Sequence, residues 1–480
     1  MSDTKQLVEP RTLKGFQDLL PEDLIPRKAV IATIESIFQK YGFSPLETPA
    51  LEHLDVLLGT GGEETNKELF RLESPEGEPI ALRFDLTVPF ARLLAQYPDK
   101  LKAPFRRYAM GSVWRADKPG PGRFRQFTQF DVDAAGSDSV AVDAEIIAIM
   151  SEVMDALGVS DYAVVINNRK IIDALLLACG IDDLARQKHV LRVIDKLNKV
   201  GMANVRLELG PGRIDDSGDP IPGVGLDEAV IDKVVTFVGL KGGTRAEVVA
   251  RLTGALPHTE ETAAAVNEMQ VLADALAALG VSEDHAVFDP SLARGLDYYT
   301  GPVFETVIRS APEFGSVMGG GRYDGLVSRF MERAIPSTGM SVGLDRLLAA
   351  LAHLGAVSTA KTSVQALVVS LGGVPDAESL RIAAELRAGG IRAEAYFGAK
   401  RSMKVQLSHA DHYEIPVAVI VGGDELAAGV VSVKDLLAGK RERAGIGDRE
   451  AYRQAGKAGQ VTVPRVAMVE TVKGLLRDQG

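Results

Sequence analysis

The sequence predicts an α+β protein in which a helical insertion interrupts an antiparallel sheet flanked by helices, with a separate α/β domain at the C-terminus. Strand-like segments cluster at 80–132 and return at 299–309, and residues 168–280 between them are rich in Ala, Leu and Val at helical spacing. Beyond residue 359, strand and helix patterns alternate as in βαβ units. We therefore divide the 480 residues into segments that share this organisation: 1–167, 168–285, 286–358 and 359–480.

The first segment begins with an amphipathic helix. Apolar residues recur at helical spacing from Val30 to Tyr41, and Gly42 follows where glycine commonly ends a helix. Three strands and two helices are predicted after it, the strands at Ile80–Phe84, Phe105–Trp114 and Phe124–Val132 and the helices at Leu86–Gln96 and Val140–Leu157. A loop rich in Gly and Pro joins the last two strands, which are therefore expected to pair as an antiparallel hairpin.

The later segments are predicted in the same way. Glycine and proline interrupt the helical insertion at 210–225, a stretch for which the sequence suggests no role. A helix at Leu344–Leu354 ends the third segment. The C-terminal domain is predicted from Val364–Ser370, Asp376–Ala388, Ala393–Tyr396, Arg401–Ala410 and Val417–Val421.

The composition narrows the classes of function. Cys179 is the only cysteine, so an intramolecular disulfide and a cysteine-based zinc site are both excluded, and the seven histidines show no metal-ligand spacing. The N-terminus is polar and no uninterrupted apolar run could span a bilayer, so we expect a cytoplasmic protein. The formal net charge of −11 argues weakly against general nucleic-acid binding but permits a local basic face. Any catalysis is expected from carboxylates, arginines and bound ions.

The return strand of the predicted hairpin carries a polar floor, which consists of Gln129, Asp131 and Asp133. These residues alternate with apolar ones, so their side chains share one side of the strand. Such a floor suits a ligand with an ammonium group or ring N–H donors. Arg115 ends the outgoing strand and Arg123 opens the return strand, where arginines are usually solvated, but here they lie next to the polar floor in the sequence.

Two further features lie at helix starts. Asp85 and Thr87 are at a strand-to-helix junction, where their simplest role is to cap the helix. Arg346 is in the first turn of its helix, where a cation opposes the helix dipole at a cost of a few tenths to about 1 kcal/mol. A cation at this locally unfavourable position is explained if it binds a ligand outside the helix, such as a polyphosphate.

Residues 292–305 combine a cation, carboxylates and aromatic residues around Gly301-Pro302, which favours a backbone bend. One interpretation is a β-hairpin in an aromatic core, and the other is that Arg294, beside the small Gly295, is directed at an anion. The run from Gly319 to Gly325 lacks the Gly-Lys-Ser/Thr of a phosphate loop and the context of a dinucleotide site. It suits a glycine-rich wall against which a substrate could lie.

Together these motifs resemble the class II aminoacyl-tRNA synthetases and, within them, the histidyl-tRNA synthetase family. The N-terminal helix and Pro49 resemble motif 1, the dimer element, while residues 107–133 and 339–351 resemble motifs 2 and 3. Two longer runs are typical of the histidine-specific branch, RGLDYYTG from Arg294 and GGRYDG from Gly320. The resemblance covers nearly the whole chain, and RFDLTVPFA from Arg83 is closer to the eukaryotic-style branch than to the usual bacterial form.

The resemblance implies a class II catalytic domain, a C-terminal anticodon-binding domain, and a homodimer that acts on histidine, ATP and the tRNA for histidine, with no membrane partner. ATP would be a substrate with Mg²⁺ on its β- and γ-phosphates, and no fixed protein metal site is implied. The implied histidine-binding residues are Asp85, Thr87, Gln129, Asp133, Tyr298, Tyr299 and Tyr323. The implied ATP-binding residues are Arg115, Arg123, Arg294 and Arg346, of which Arg115 and Arg294 would be catalytic at the α-phosphate. The suggested tRNA contacts, unless they form only a solvated helix face, are Lys400, Arg401 and Lys404.

Other functions stay open at this point. A non-catalytic histidine-sensing paralogue, such as the regulatory subunit of an ATP phosphoribosyltransferase, tends to lack the C-terminal domain and to degrade the signature at Arg294, yet both are present here. A class II synthetase for threonine or proline would not be expected to carry the Tyr298-Tyr299 pair. Adenylate formation needs no protein nucleophile, since the amino-acid carboxylate attacks the α-phosphorus directly. The single cysteine is therefore compatible with a synthetase.

Overall fold

The computed structural model describes residues 7–59, 66–120, 122–215, 217–293, 298–357, 360–438 and 459–477. The chain divides into two compact units. One consists of Met1–Asp18 and Val30–Val357, and the other of Leu19–Ala29 and Ser358–Gly480. Within the ranges just given, no helix combines the length and the apolar character that crossing a membrane requires.

The first unit is built on a mixed sheet of eight strands. The strands of this unit are β1 (Ser44–Pro45), β2 (Leu51–His53), β3 (Arg71–Glu73), β4 (Pro79–Leu82), β5 (Phe105–Trp114), β6 (Gln126–Ala135), β7 (Tyr162–Asn168), β8 (Gly212–Ile214), β9 (Pro220–Pro222), β10 (Ala286–Phe288), β11 (Pro302–Ile308), β12 (Ser316–Arg322) and β13 (Ser337–Gly343). The large sheet has the order β1-β5-β6-β13-β12-β11-β7-β10, while β2, β4 and β3 form a small sheet and β8 and β9 a hairpin. Only the outermost pairs of the large sheet, β1 with β5 and β10 with β7, are parallel. The predicted antiparallel α+β architecture is confirmed.

The β5–β6 hairpin predicted from the sequence is also confirmed. It pairs without a break from Phe105 opposite Ala135 to Trp114 opposite Gln126. Even-numbered residues of β6 face the core, where the ring centroids of Phe130 and Phe38 are 4.9 Å apart. Odd-numbered residues of β6 point to the other side of the sheet, because successive side chains of a strand alternate. Residues directly opposite them on neighbouring strands share that side, which we call the polar face.

Most of the helices cover the apolar face or form the insertion. They are α1 (Pro21–Lys40), α2 (Leu54–Leu57), α3 (Thr87–Gln96), α4 (Val140–Ala156), α5 (Arg169–Ala178), α6 (Leu184–Asp195), α7 (Leu197–Leu209), α8 (Glu228–Val238), α9 (Arg245–Ala255), α10 (Glu260–Ala278) and α11 (Leu344–His353). The exceptions are α2 and α3, which pack with Tyr323 in a separate apolar cluster. The start of α10 is fixed by a capping box, in which the Thr259 hydroxyl accepts the Thr262 N–H at 3.2 Å. α10 packs against α4, so the insertion and the sheet share one apolar core.

The structure corrects one sequence interpretation in this unit and adds detail to another stretch. Gly301-Pro302 does not turn a hairpin, because Pro302 opens β11, a central strand that pairs with β7 from Pro302 opposite Asn168 and with β12 from Val303 opposite Gly321. These partners are distant in sequence, so local turn signals could not reveal them. The break at 210–225 is likewise ordered in part, since the β8–β9 hairpin lies within it.

The second unit has a five-stranded sheet of order β15-β14-β16-β17-β18. Its strands and helices are β14 (Ala366–Ser370), β15 (Ala393–Ala395), β16 (Val417–Val421), β17 (Val430–Asp435), β18 (Gln460–Pro464), α12 (Asp376–Ala388), α13 (Met403–His412), α14 (Gly423–Ala428) and α15 (Met468–Arg477). The first three strands of the order are parallel, as the βαβ pattern predicts. The predicted helix start at Arg401 is wrong, because α13 begins at Met403 after Ser402.

Candidate active site

The polar floor lies in a trough of small residues on the polar face. Gln129, Asp131 and Asp133 are 9%, 1% and 2% exposed. Opposite them stand only Arg107, Ala109 and Gly111 on β5 and Gly339, Ser341 and Gly343 on β13. A Cβ on Gly339 would be 2.1 Å from Asp133 Oδ1, so only glycine leaves room for that carboxylate. The floor therefore presents buried acceptors beside mostly small neighbours, while the guanidinium of Arg83 fills the space over Gly111.

Arg107 and Tyr323 hold Asp133 in place. Arg107 Nη2 is 2.8 Å from Asp133 Oδ2 and also donates to the Leu86 carbonyl at 3.1 Å. The guanidinium lies over the Phe90 ring at 4.5 Å. The Tyr323 hydroxyl donates to Asp133 Oδ1 at 2.5 Å. Burial raises the pKa of Asp133, and Arg107 and Tyr323 oppose that rise, so the carboxylate is oriented before any ligand arrives.

Asp85 lies in the connection between β4 and α3 and is 4% exposed. Its Oδ1 accepts the Val88 N–H at 3.0 Å, so one carboxylate oxygen caps α3, whose first residue is Thr87. Burial raises the pKa of Asp85 to about 6, with Arg115 acting in the opposite direction. Asp85 Oδ1 therefore has the predicted capping role. The Asp85 carboxylate also interacts electrostatically with Arg115, which is predicted to bind ATP.

Asp131 is a buried carboxyl group for which sequence reasoning gave no individual role. Burial raises the pKa of Asp131 to about 7. Arg107 opposes this rise, whereas Asp133 and Asp85 increase it by repulsion. The four groups therefore form one electrostatic unit.

Three tyrosines close one side of the floor. The ring centroids of Tyr298 and Tyr299 are 4.7 Å apart, and Tyr298 meets Tyr323 edge-on at 6.4 Å. The Tyr299 ring covers Gly321, where a Cβ would be 3.0 Å from Cδ1 of that ring. Burial raises the pKa of Tyr299 and the charge of Asp133 adds to this, so the phenol stays protonated at neutral pH.

Two predicted ATP-binding arginines lie around the β5–β6 loop. Arg115 follows β5, and its Nε donates to the Phe84 carbonyl at 3.0 Å. Arg123 has a side chain that is 58% exposed and stands 3.8 Å from the Asp117 carboxylate. Arg115 is therefore anchored beside the floor, whereas Arg123 is on the surface of the loop.

Arg346 lies in the first turn of α11, as predicted, and its Nη1 donates to the Ser316 carbonyl at 2.8 Å. The β5–β6 loop approaches it, since a Cβ on Gly122 would be 3.5 Å from Arg346 Cα. Arg294 lies outside the described residues. Its position opposite Arg115 stays a prediction.

Two buried arginines that sequence reasoning missed support the site. Arg83 donates to the carbonyls of Thr48 at 2.7 Å and Ser112 at 3.0 Å, so it joins the segment before β2 to β5. Arg322 donates from Nε to Asp143 at 3.1 Å and from Nη1 to the Ser137 carbonyl at 2.9 Å. Neither set of partners is indicated by any local pattern.

Arg107 was also missed, although a signal existed. The hairpin register places residue 107 directly opposite Asp133, so pairing the two predicted strands would have shown the ion pair.

The described residues do not contain a group of three or more His, Cys, Asp or Glu side chains that could hold a metal ion. A Mg²⁺ ion that arrives with a nucleotide fits these surroundings, because Mg²⁺ is commonly held by phosphates, waters and one or two carboxylates. The nucleotide would then supply most of its ligands.

The predicted tRNA contacts are all in the second unit. Lys400 and Lys404 are exposed, the first before α13 and the second within it. Arg401 is paired with Asp376 and lies over the Phe397 ring at 5.5 Å. Arg401 thus already has a partner on the protein.

Comparisons with known proteins give a consistent result. The family model for histidyl-tRNA synthetase matches residues 15–347, and the model for an anticodon binding domain matches residues 365–456. The histidine–tRNA ligases of Rhizobium leguminosarum bv. trifolii and Paracoccus denitrificans are each 43% identical to this chain, over 99% of it and 96% and 99% of their own lengths. The crystal structure of histidyl-tRNA synthetase from Nostoc sp. PCC 7120 is 31% identical, with a TM-score of 0.79 over 97% of this chain and 99% of that one. The chain therefore belongs to the histidyl-tRNA synthetase family of class II aminoacyl-tRNA synthetases.

Proposed function

We propose that the protein attaches L-histidine to its tRNA in two steps, through a histidyl-adenylate formed from ATP with release of pyrophosphate. The observation that carries the proposal is the match of 99% of the chain to histidine–tRNA ligases at 43% identity. The polar face supports it, since buried acceptors and tyrosines suit a small amino acid that has an ammonium group and a ring N–H.

The ammonium group of histidine would bind to Asp85, Thr87 and Gln129. Asp85 is buried and retains a negative charge that a cation would compensate. Gln129 Oε1 has no hydrogen-bond partner among the described residues, although it is buried. An acceptor without a donor is costly in a ligand-free site and is satisfied when a donor binds.

The imidazole ring would be recognised by Asp133 and Tyr299, with Tyr298 and Tyr323 as walls. Asp133 is fixed by Arg107, and a carboxylate has lone pairs beyond those that its present partners use. A site that hydrogen-bonds a substrate N–H discriminates strongly against analogues that lack it. This arrangement would select histidine over amino acids of similar size.

In the first step the histidine carboxylate attacks the α-phosphorus of ATP in line, and pyrophosphate leaves. Arg115 and Arg294 would bracket the α-phosphate and stabilise its developing charge, while Arg123 and Arg346 would bind the remainder of the nucleotide. Positioning and electrostatic stabilisation carry the rate, because no protein nucleophile takes part. Bound Mg²⁺ would neutralise charge on the β- and γ-phosphates.

In the second step a terminal ribose hydroxyl of the tRNA attacks the adenylate and AMP leaves. Residues 1–167 and 286–358 would form the catalytic domain, 168–285 would press on the acceptor stem, and 359–480 would bind the anticodon. Lys400, Arg401 and Lys404 would contact RNA phosphates. The exposed side chains of both lysines support this, whereas Arg401 would first have to leave Asp376.

We further propose that the protein works as a homodimer in the cytoplasm, where tRNA is charged. The segment that resembles motif 1 supports a dimer, since it is followed by a small sheet with exposed apolar side chains. Leu51 and Leu72 on that sheet are 45% and 49% exposed. Exposed apolar groups on one small sheet favour a protein partner.

Histidine-dependent ATP–pyrophosphate exchange by the purified protein tests the proposal. We expect exchange with L-histidine and none with threonine or proline, followed by charging of the tRNA for histidine. A histidine-sensing paralogue, the alternative function, would bind histidine without exchange. Absent exchange, or equal exchange with other amino acids, would rule the proposal out.

A further inference from the structure

Among the described residues, two buried acceptor oxygens of the polar floor have neither a hydrogen bond nor an ion pair, unlike Asp133 Oδ2, which lies 2.8 Å from Arg107 Nη2. They are Asp131 Oδ1 and Gln129 Oε1, on residues that are 1% and 9% exposed. The two residues alternate on β6, so their side chains point to the same side of the sheet. Buried acceptors are rarely left without donors, and two together indicate that a ligand brings the donors.

The three carboxylates at the floor, Asp85, Asp131 and Asp133, differ in whether a cationic side chain of the protein pairs with them. Asp133 has Arg107 at 2.8 Å and also accepts from Tyr323. Across the described ranges, neither Asp85 nor Asp131 forms an ion pair within 4 Å. Asp85 and Asp131 nevertheless repel each other. A cationic group between them would relieve that repulsion.

The residues directly opposite Asp131 are small. On β5 it stands opposite Ala109, against which the buried Leu86 packs, and on β13 it stands opposite Ser341, whose hydroxyl interacts with the Asp131 carboxylate and lowers its pKa. Gln129 and Asp133 flank it along its own strand. No cationic side chain therefore stands directly opposite Asp131 on either neighbouring strand.

We propose that Asp131 is a further substrate-binding residue, which joins Asp85, Thr87 and Gln129 around the ammonium group of histidine. An ammonium group has three N–H donors in a tripod, and Asp131 would accept one of them as a second carboxylate beside Asp85. The inference rests on the proposed function, because it assumes that histidine binds on the polar floor. Asp131, which has no ion pair with Arg107, would thus bind the ammonium group, whereas Asp133, which has one, would bind the imidazole.

The test compares two competitive inhibitors of exchange on wild type and Asp131→Asn. L-Histidinol keeps the ammonium and imidazole groups but lacks the carboxylate, whereas imidazole lactate has a hydroxyl in place of the ammonium. The variant should bind histidinol about 10- to 100-fold more weakly, as expected for loss of a charge-assisted hydrogen bond. Its inhibition by imidazole lactate and its KM for ATP should change little.

Asp274→Asn on the exposed side of α10 is the matched control and should leave both inhibition constants unchanged. Asp131→Ala, with thermal unfolding of each variant, serves as a second test should the asparagine variant misfold. Unchanged histidinol inhibition, or equal weakening of both inhibitors, would overturn the proposal. Absence of exchange in wild type would instead contradict the proposed function.

Discussion

Replacing Asp131 by asparagine should stabilise the ligand-free protein at neutral pH. Burial raises the pKa of Asp131 from 3.8 to about 7, and Arg107 offsets this only in part. One pKa unit corresponds to about 1.4 kcal/mol, so keeping this carboxylate ionised costs the native state about 4 kcal/mol above pH 7, as an upper value. Because the native state binds the proton more tightly than the unfolded chain, the stability of wild type falls as pH rises from about 4 to about 7. Asparagine keeps the shape of the side chain without its charge.

Urea unfolding at two pH values measures this difference. Trp114, the only tryptophan, ends β5 and so reports on the first unit by its fluorescence. The variant should be more stable than wild type at pH 8, by at most about 4 kcal/mol, and the difference at pH 5 should be less than half of that at pH 8. Asp131 and Asp85 repel each other, so removing the charge of Asp131 also lowers the pKa of Asp85, which burial raises to about 6, and this adds to the stabilisation at pH 8. A variant that is no more stable than wild type at pH 8 would refute the reasoning.

Three further changes probe the same face of the sheet. Arg107→Met leaves Asp133 buried without its cation and should lower the free energy of unfolding by about 3–5 kcal/mol at pH 8. The loss should be smaller at pH 5, where Asp133 can take up a proton, and an equal loss at both pH values in urea unfolding would contradict this. Gly339→Ala places a Cβ 2.1 Å from Asp133 Oδ1 and 2.6 Å from the Val132 carbonyl oxygen, so exchange assays should show the KM for histidine raised by about tenfold, a change worth about 1.4 kcal/mol, and urea unfolding should show a loss of stability as well. Gly254→Ala, whose Cβ would meet nothing within 4 Å, is its control, and an equal KM in both variants would argue against the close contact. Arg294→Ala should slow adenylate formation in single-turnover experiments by about 10²- to 10³-fold if its guanidinium stabilises charge at the α-phosphate, and a change confined to histidine affinity would contradict that role.

Sequence patterns located the parts of the fold that depend on neighbours along the chain. The β5–β6 hairpin follows from alternating residues and a turn-rich loop, and α11 follows from the helical spacing that begins at Leu344. The bounds of α12, Asp376–Ala388, were predicted correctly for the same reason. Each of these elements is specified within about 30 residues of sequence.

Long-range pairing is what the sequence could not reveal. The role of Pro302 depends on β7, and residues 319–321, which the sequence suggested as a wall, lie in β12 between strands that are distant in sequence. Arg83 was missed because its partners are backbone carbonyls, which every residue offers and no motif marks. Asp131 was visible as part of a polar floor, but its lack of a partner is a property of three-dimensional packing.

The glycines of β12 and β13 limit how this site can change. A Cβ on Gly321 would be 2.7 Å from the Pro302 carbonyl oxygen, and one on Gly320 would be 2.1 Å from the Gly339 carbonyl oxygen. Substitution there would disturb the strands themselves before it altered a ligand contact. New amino-acid selectivity, whether natural or engineered, is therefore expected to arise on β6 and in the surrounding loops, and variant libraries aimed at selectivity should leave the glycines of β12 and β13 unchanged.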